Sequence, residues 1–168
     1  MSLVLLRIDD RLIHGQVVVG WAQRLGVRFI VLVDDAVHAN LWEQDLYRMG
    51  VPPEMDVVFA SVSEAAARLA EWEGDPRKGI LLTGDVDTMV AVCAAGAGGA
   101  GGAGGGGGGP RKVNLGGVHA REGRSERLRY VFLSEEEADK LRELAARGVE
   151  ITAQDLPTTK PVPIGDLL

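Results

Sequence analysis

Short apolar runs alternate with stretches of helical spacing along nearly the whole of this chain. Leu3, Val4, Leu5, Leu6 and Ile8 form a first run that stops at Asp9 and Asp10. From His14 to Leu25, Val18, Trp21, Ala22 and Leu25 fall at i, i+3, i+4 and i+7, and Gly26 is placed to end a helix. Arg28 to Val33 is a β-branched run closed by Asp34 and Asp35, the pattern of a buried parallel strand. Asn40 to Met49 predicts a helix, closed by Gly50 and the Pro52-Pro53 turn. Asp56 to Ala60 predicts a third strand, and Ser61 with Glu64 predicts a capping box on a helix carrying Val62, Ala66, Leu69 and Trp72. Gly79 to Thr83 predicts a fourth strand and Val86 to Ala95 a helix. Arg111 to Leu115, Arg129 to Leu133 and Val149 to Ala153 predict three more strands. Ser134 and Glu137 predict a second capping box on a helix with Ala138, Leu141, Leu144 and Ala145, ended by Gly148. The tail beyond is punctuated by prolines.

Strands that alternate with helices imply an α/β fold. The expectation is a single domain over residues 1–168, with a mainly parallel, open twisted sheet of about seven strands and helices on both faces. One segment breaks the pattern. Residues 94–109 hold eleven glycines and five alanines and nothing else. Such a run has no side chains to bury and loses the most backbone entropy on ordering, so a disordered loop is expected at about 94–109. It joins a helix to the next strand, which puts it at the amino-terminal edge of the sheet, opposite the expected chemistry.

Composition narrows the function classes. Apolar residues make up 46% of the chain, enough for a real core, and the net charge of -6 with no basic run argues against a general nucleic-acid binder. The single cysteine, Cys93, has no disulfide partner and no ligands at zinc spacing, and it sits in an apolar helical pattern. The reading is a core thiol in a reducing compartment. No apolar run reaches the roughly 20 residues of a membrane span, and no cleavable leader pattern is present, so a cytoplasmic protein is expected.

Chemistry points to the stretch Arg7-Ile-Asp-Asp-Arg-Leu-Ile-His-Gly-Gln16. It follows the first strand, and in open α/β sheets ligands bind at the carboxyl ends of strands. An imidazole nitrogen is a competent nucleophile near neutral pH, which makes His14 a candidate phosphoryl acceptor. A phosphoryl group there would meet the first helical amides, at Gly15 and Gln16, and the positive end of the helix dipole. Arg11 could clamp it, and Asp9 or Asp10 could hold the second ring nitrogen. Thr83 and Gly84 after the fourth strand, and Gly116 and Gly117 after the fifth, supply small residues for a phosphate or substrate pocket. His119 is a surface histidine or a second acid–base group, and no metal ligand set accompanies the Asp34-Asp35 pair. A response-regulator receiver is disfavoured, because the third strand, Val57-Val58-Phe59-Ala60, ends without an acid and Lys112 sits at the start of its strand rather than the end.

The first stretch closely resembles the active-site loop of IIB components in the mannose/fructose/sorbose family of the sugar phosphotransferase system. Asn114-Leu-Gly-Gly117 resembles the family's later Asn-Val-Gly-Gly loop. The resemblance implies a protein-N(pi)-phosphohistidine–sugar phosphotransferase that needs no cofactor or metal. A phosphohistidine on a IIA protein would donate to His14, with Arg11 and Asp10 as its helpers. Phospho-His14 would then pass the group to a sugar of the mannose, fructose, sorbose or amino-sugar class, entering through a IIC/IID membrane permease. The chain would sit in the cytoplasm against that permease, a homo-oligomer being one possible state. A regulatory phosphoprotein without a permease is the alternative. Where the family usually has methionine after Gly-Gly, this chain has Val118 and then His119, and the Ala/Gly run is foreign to the pattern.

Overall fold

The structure is a computed structural model that describes residues 2–98 and 111–168. Seven strands form one sheet in the order β3-β2-β4-β1-β5-β8-β9. They are β1 (Leu3–Ile8), β2 (Phe29–Val33), β3 (Asp56–Ala60), β4 (Gly79–Thr83), β5 (Lys112–Leu115), β8 (Glu150–Ala153) and β9 (Val162–Pro163). All neighbours run parallel except β8 and β9. The period-2 pleat sorts each apolar strand between two cores. Phe29, Val31, Val33 and Leu81 face the helices α3 (Val62–Glu73), α4 (Val86–Gly98) and α5 (Glu135–Ala146). Ile30, Leu32, Ile80 and Leu82 face a helix over Gln16–Gln23 and the short pair α1 (Asp35–His38) and α2 (Leu41–Met49). Strands buried on both faces read as continuous apolar runs, which is why β2 and β4 were so plain in the sequence.

The expected seven strands are present with one substitution. Arg129–Leu133 was expected to join the sheet. Instead Val131–Leu133 (β7) pairs antiparallel with Ser125–Leu128 (β6) in a separate hairpin, and β9 from the proline-rich tail takes the seventh place. Parallel pairing needs a crossover of a dozen or more residues, usually helical. Residues 119–130 are rich in Arg and Glu and carry no apolar helical stripe. The second capping box forms in full at Ser134 and Glu137. The first forms by half: Ser61 accepts from the Glu64 amide, while the Glu64 side chain pairs with His38 at 3.0 Å. Of the segment expected to be a loop from residue 94, the part up to Gly98 is helical, the end of α4; the rest of that segment lies outside the described residues. Cys93 is a buried core thiol, and burial pushes its pKa up against the pull of Arg111. No helix among the described residues is long and apolar enough to cross a membrane.

The helix expected over His14–Leu25 exists but is wound as a π-helix between Gln16 and Gln23. Its wider turn buries Val17, Val18, Trp21 and Ala22, pairs spaced by four residues. π turns of this kind are rare and concentrate at functional sites. The sheet order places the site above them. Strand β1 is central, its chain leaves toward β2 on one side, and β5 leaves toward β8 on the other. That change of direction opens a crevice at the carboxyl ends of β1 and β5.

Candidate active site

The first loop is stitched to both neighbours of β1. The Asp9 amide donates to the Thr83 carbonyl at 2.9 Å, and the Asp10 amide to the Gly117 carbonyl at 2.8 Å. Between these anchors the backbone is forced into a tight course. Leu12 has φ 61°, the one non-glycine residue in the left-handed region among the described residues. For a branched side chain this is a strained conformation, held by the structure around it.

Under the loop lies a fully buried arginine. Arg7 points from β1 toward the π-helix, with its guanidinium 4.9 Å from the centre of the Trp21 ring. It donates to the Asn114 side chain, to the Gln154 carbonyl at 2.9 Å, to Asp9 Oδ2 at 3.1 Å and to the Asp155 carbonyl at 3.1 Å. A Cβ at Gly116 would sit 2.3 Å from this guanidinium, so only glycine leaves room for it. Burial lowers the pKa of Arg7 and Asp9 opposes this, but a guanidinium stays charged.

Asp9 is the hub. Its side chain is fully buried, and its two oxygens receive Arg7, the Arg11 amide at 3.2 Å, and Arg11 Nε and Nη2 at 3.1 Å each. His14 Nε2 lies 3.3 Å from Asp9 Oδ2, and this buried nitrogen makes no hydrogen bond of good geometry to any group. Burial alone pushes the Asp9 carboxyl up. The imidazole of His14 beside it, the hydrogen bonds from Arg11 and the charge of Arg7 outweigh it and hold the group well below the usual carboxylate range. The bond to Asp9 in turn raises Arg11. On the other side of the ring, the Gln16 amide donates to His14 Nδ1 at 3.3 Å, and Gln16 Oε1 accepts Arg11 Nη2 at 2.8 Å.

The structure thus brings together His14, Arg11, Gly15, Gln16, Gly116 and Gly117. Gly117 lies against the cluster, where a Cβ would meet Arg11 Nε at 3.2 Å and Asp9 Oδ1 at 3.3 Å. Three expectations are corrected. Asp9, not Asp10, faces His14; Asp10 turns to His119, meeting its amide at 2.7 Å and its Nδ1 at 2.5 Å. Thr83 is buried and its hydroxyl donates to the Asp85 carbonyl at 3.2 Å, so it closes its own turn. Gly84 makes room for Leu12, whose Cδ2 would lie 2.9 Å from a Cβ there. Sequence reasoning missed Arg7, Asn114 and Asp155. Arg7 had a signal as the lone polar residue of an apolar strand, and Asn114 pairs with it in register across β1 and β5. Asp155, in the tail, had none.

The chain matches the family described as PTS system sorbose subfamily IIB component over residues 3–168. It belongs to that family. It is 28% identical to the sorbose-specific EIIB component of Lacticaseibacillus casei, covering 100% of this chain and 94% of the relative. It is 29% identical to the mannose-specific EIIAB component of Escherichia coli K12, covering all of this chain and 49% of that one. The crystal structure of the IIBSor domain of the Klebsiella pneumoniae sorbose permease superposes with a TM-score of 0.83 at 26% identity, covering 99% of this chain and 95% of that one. This chain is therefore a IIB component of a sugar phosphotransferase system, and phosphoryl transfer toward sugars is its kind of reaction. IIB components work with IIA and IIC/IID proteins. No group of His, Cys, Asp and Glu among the described residues could hold a metal ion.

Proposed function

We propose that His14 is the phosphoryl carrier of this IIB component and that Nδ1 is the atom that carries. The supporting observation is the pair of contacts on its ring. A carboxylate faces Nε2, which places the proton there, and an amide donates to Nδ1, which places the lone pair there. Nδ1 attacks the phosphorus of a phosphohistidine on the IIA protein. The donor's P–N bond breaks, its electron pair returns to the donor ring, and a P–Nδ1 bond forms. His14 keeps its Nε2 proton and becomes cationic, a charge that the ionised Asp9 stabilises. Arg11, one-third exposed at 33%, and the amides at the start of the π-helix offer charge and donors to the new oxygens.

The same arrangement serves the onward step. A cationic phosphoimidazole is a good leaving group, so a sugar oxygen that attacks phosphorus releases neutral His14. The acceptor is a sugar of the mannose, fructose, sorbose or amino-sugar class, delivered by a IIC/IID permease against which the protein docks from the cytoplasm. Reconstitution with phosphoenolpyruvate, enzyme I, the histidine carrier and a matched IIA protein tests the first step. An acid-labile phosphate on His14, absent from His14→Ala, is the expected result in mass spectrometry. An unmodified wild type beside a donor shown to be phosphorylated contradicts it.

A further inference from the structure

On the phosphocarrier reading of His14, onward transfer leaves one proton to be placed. The sugar oxygen that attacks phosphorus must lose its hydrogen, and Nε2 of His14 already holds one. The cluster below offers no acceptor, because guanidiniums have no free lone pair and Asp9 is held far below the usual carboxylate range.

Beside the cluster stands a second acid with its own histidine. Asp10 Oδ2 accepts the His119 amide at 2.7 Å, and Oδ1 meets His119 Nδ1 at 2.5 Å. A carboxylate only accepts, so Nδ1 carries the proton and the lone pair of the ring lies on Nε2. The backbone here is fixed from several directions. The Val118 amide donates to the Tyr130 carbonyl at 2.8 Å, and its carbonyl accepts the Phe132 amide at 2.9 Å. The His119 carbonyl accepts Arg124 Nη1 at 2.9 Å, and Arg124 is itself paired with Glu137 of α5 at 2.8 Å. The His119 side chain nevertheless remains 67% exposed. A histidine on an ordinary surface turn is not held in this way. It also adjoins the cluster along the chain: His119 is two residues past Gly117, where a Cβ would meet Arg11 and Asp9 and whose carbonyl accepts the Asp10 amide.

We propose that Asp10 and His119 form a second acid–base pair at the rim of the His14 site. His119 Nε2 takes the proton of the sugar hydroxyl as the phosphoryl group leaves His14, and Asp10 is the positioning residue that sets its tautomer. In the balanced step the sugar O–P bond forms, the P–Nδ1 bond of His14 breaks with its electron pair returning to the ring, and the hydroxyl proton moves to His119. It passes to solvent afterwards. The charged groups around His119 are Asp10 from the first loop and Arg124 ahead of β6, with Glu137 of α5 behind it. Acceptance from a phosphohistidine moves no proton, so it does not need this pair.

That asymmetry supplies the test, with full-length protein and the two half-reactions timed separately. Loading from phospho-IIA is followed by rapid quench. Discharge is followed with membranes holding the cognate IIC/IID pair and, in turn, mannose, fructose, sorbose and N-acetylgalactosamine. His119→Gln keeps an N–H to offer Asp10 but lacks the base. Its loading should equal the wild type, and its discharge should fall about 10²-fold, the low end for general-base catalysis because the phosphoryl transition state is loose. Wild-type discharge should rise with pH and level off, and the variant should lose that limb. Unchanged discharge, or equal slowing of both half-reactions, overturns the proposal. Nitrogen-15 NMR adds a readout independent of turnover: Nδ1–H with bare Nε2 is expected at His119, and the opposite tautomer overturns the assignment. A wild type that fails to load at all refutes the carrier reading instead. One that loads but discharges to none of the four sugars refutes the onward step.

Discussion

Strands β1 and β2 both end on two aspartates with a histidine close behind, Asp9-Asp10 with His14 and Asp34-Asp35 with His38. Both pairs lie at the same edge of the same sheet. After β2 the carboxylates build helices. Asp34 accepts the Val37 amide at 2.9 Å and caps α1, Asp35 accepts the Val62 amide at 2.9 Å, and His38 pairs with Glu64 on a half-exposed surface. After β1 the first carboxylate is buried among two arginines and a histidine. The difference is set two residues earlier. Strand β1 has Arg7 where the corresponding place in β2 has Leu32. A buried cation draws Asp9 inward, Asp9 orients Arg11 and His14, and a glycine at 116 provides the space.

The largest effect expected from breaking this contrast comes from Arg7→Leu, which gives β1 the residue of β2. It leaves Asp9 buried without its deepest partner, and removing one member of a buried pair costs about 3–5 kcal/mol. Urea unfolding should show that loss. A loss under about 1 kcal/mol would mean that Arg7 is not what holds the site.

Matched Asp→Asn changes separate the two carboxylate pairs. Asparagine caps helices as well as aspartate, so Asp34→Asn should change stability by a few tenths of a kcal/mol at most. Asp9→Asn should cost about 1–3 kcal/mol at neutral pH, the penalty of a weakened buried hydrogen-bond acceptor, and should slow loading of His14. The sign of its pH dependence follows from the lowered pKa of Asp9. Its contribution is complete above the unfolded carboxylate value near about 3.9 and is lost as pH falls below it. The wild type should therefore lose stability on acidification below that value more steeply than Asp9→Asn. Parallel acid profiles would contradict the buried, ionised Asp9.

Much of the architecture was legible because β2, β4 and the helices between them obey simple periods of apolar residues. What the pattern hid were elements made by pairing rather than by burial. Strand β9 is two residues long and contains a proline, and hairpin β6–β7 is fastened partly by Arg124 and Arg127 to acids of α5. In the site, His14, Arg11, Gln16, Gly116 and Gly117 carried their signal in residue type and in position after a strand. Two adjacent aspartates could not be told apart by type, since the choice between them depends on which one the pleat turns over Arg7. The π winding of Gln16–Gln23 was hidden for a related reason: Val17, Val18, Trp21 and Ala22 fit a helical stripe at either period.

In the proposed carrier role, Asp9 and the Gln16 amide fix the ring of His14 so that the phosphoryl group rests on Nδ1. Nitrogen-15 and phosphorus-31 NMR of the phosphorylated protein addresses it directly. Phosphorus coupled to Nδ1 of His14, with the proton retained on Nε2, is the predicted result. Phosphorus on Nε2, or on any residue other than His14, would contradict it.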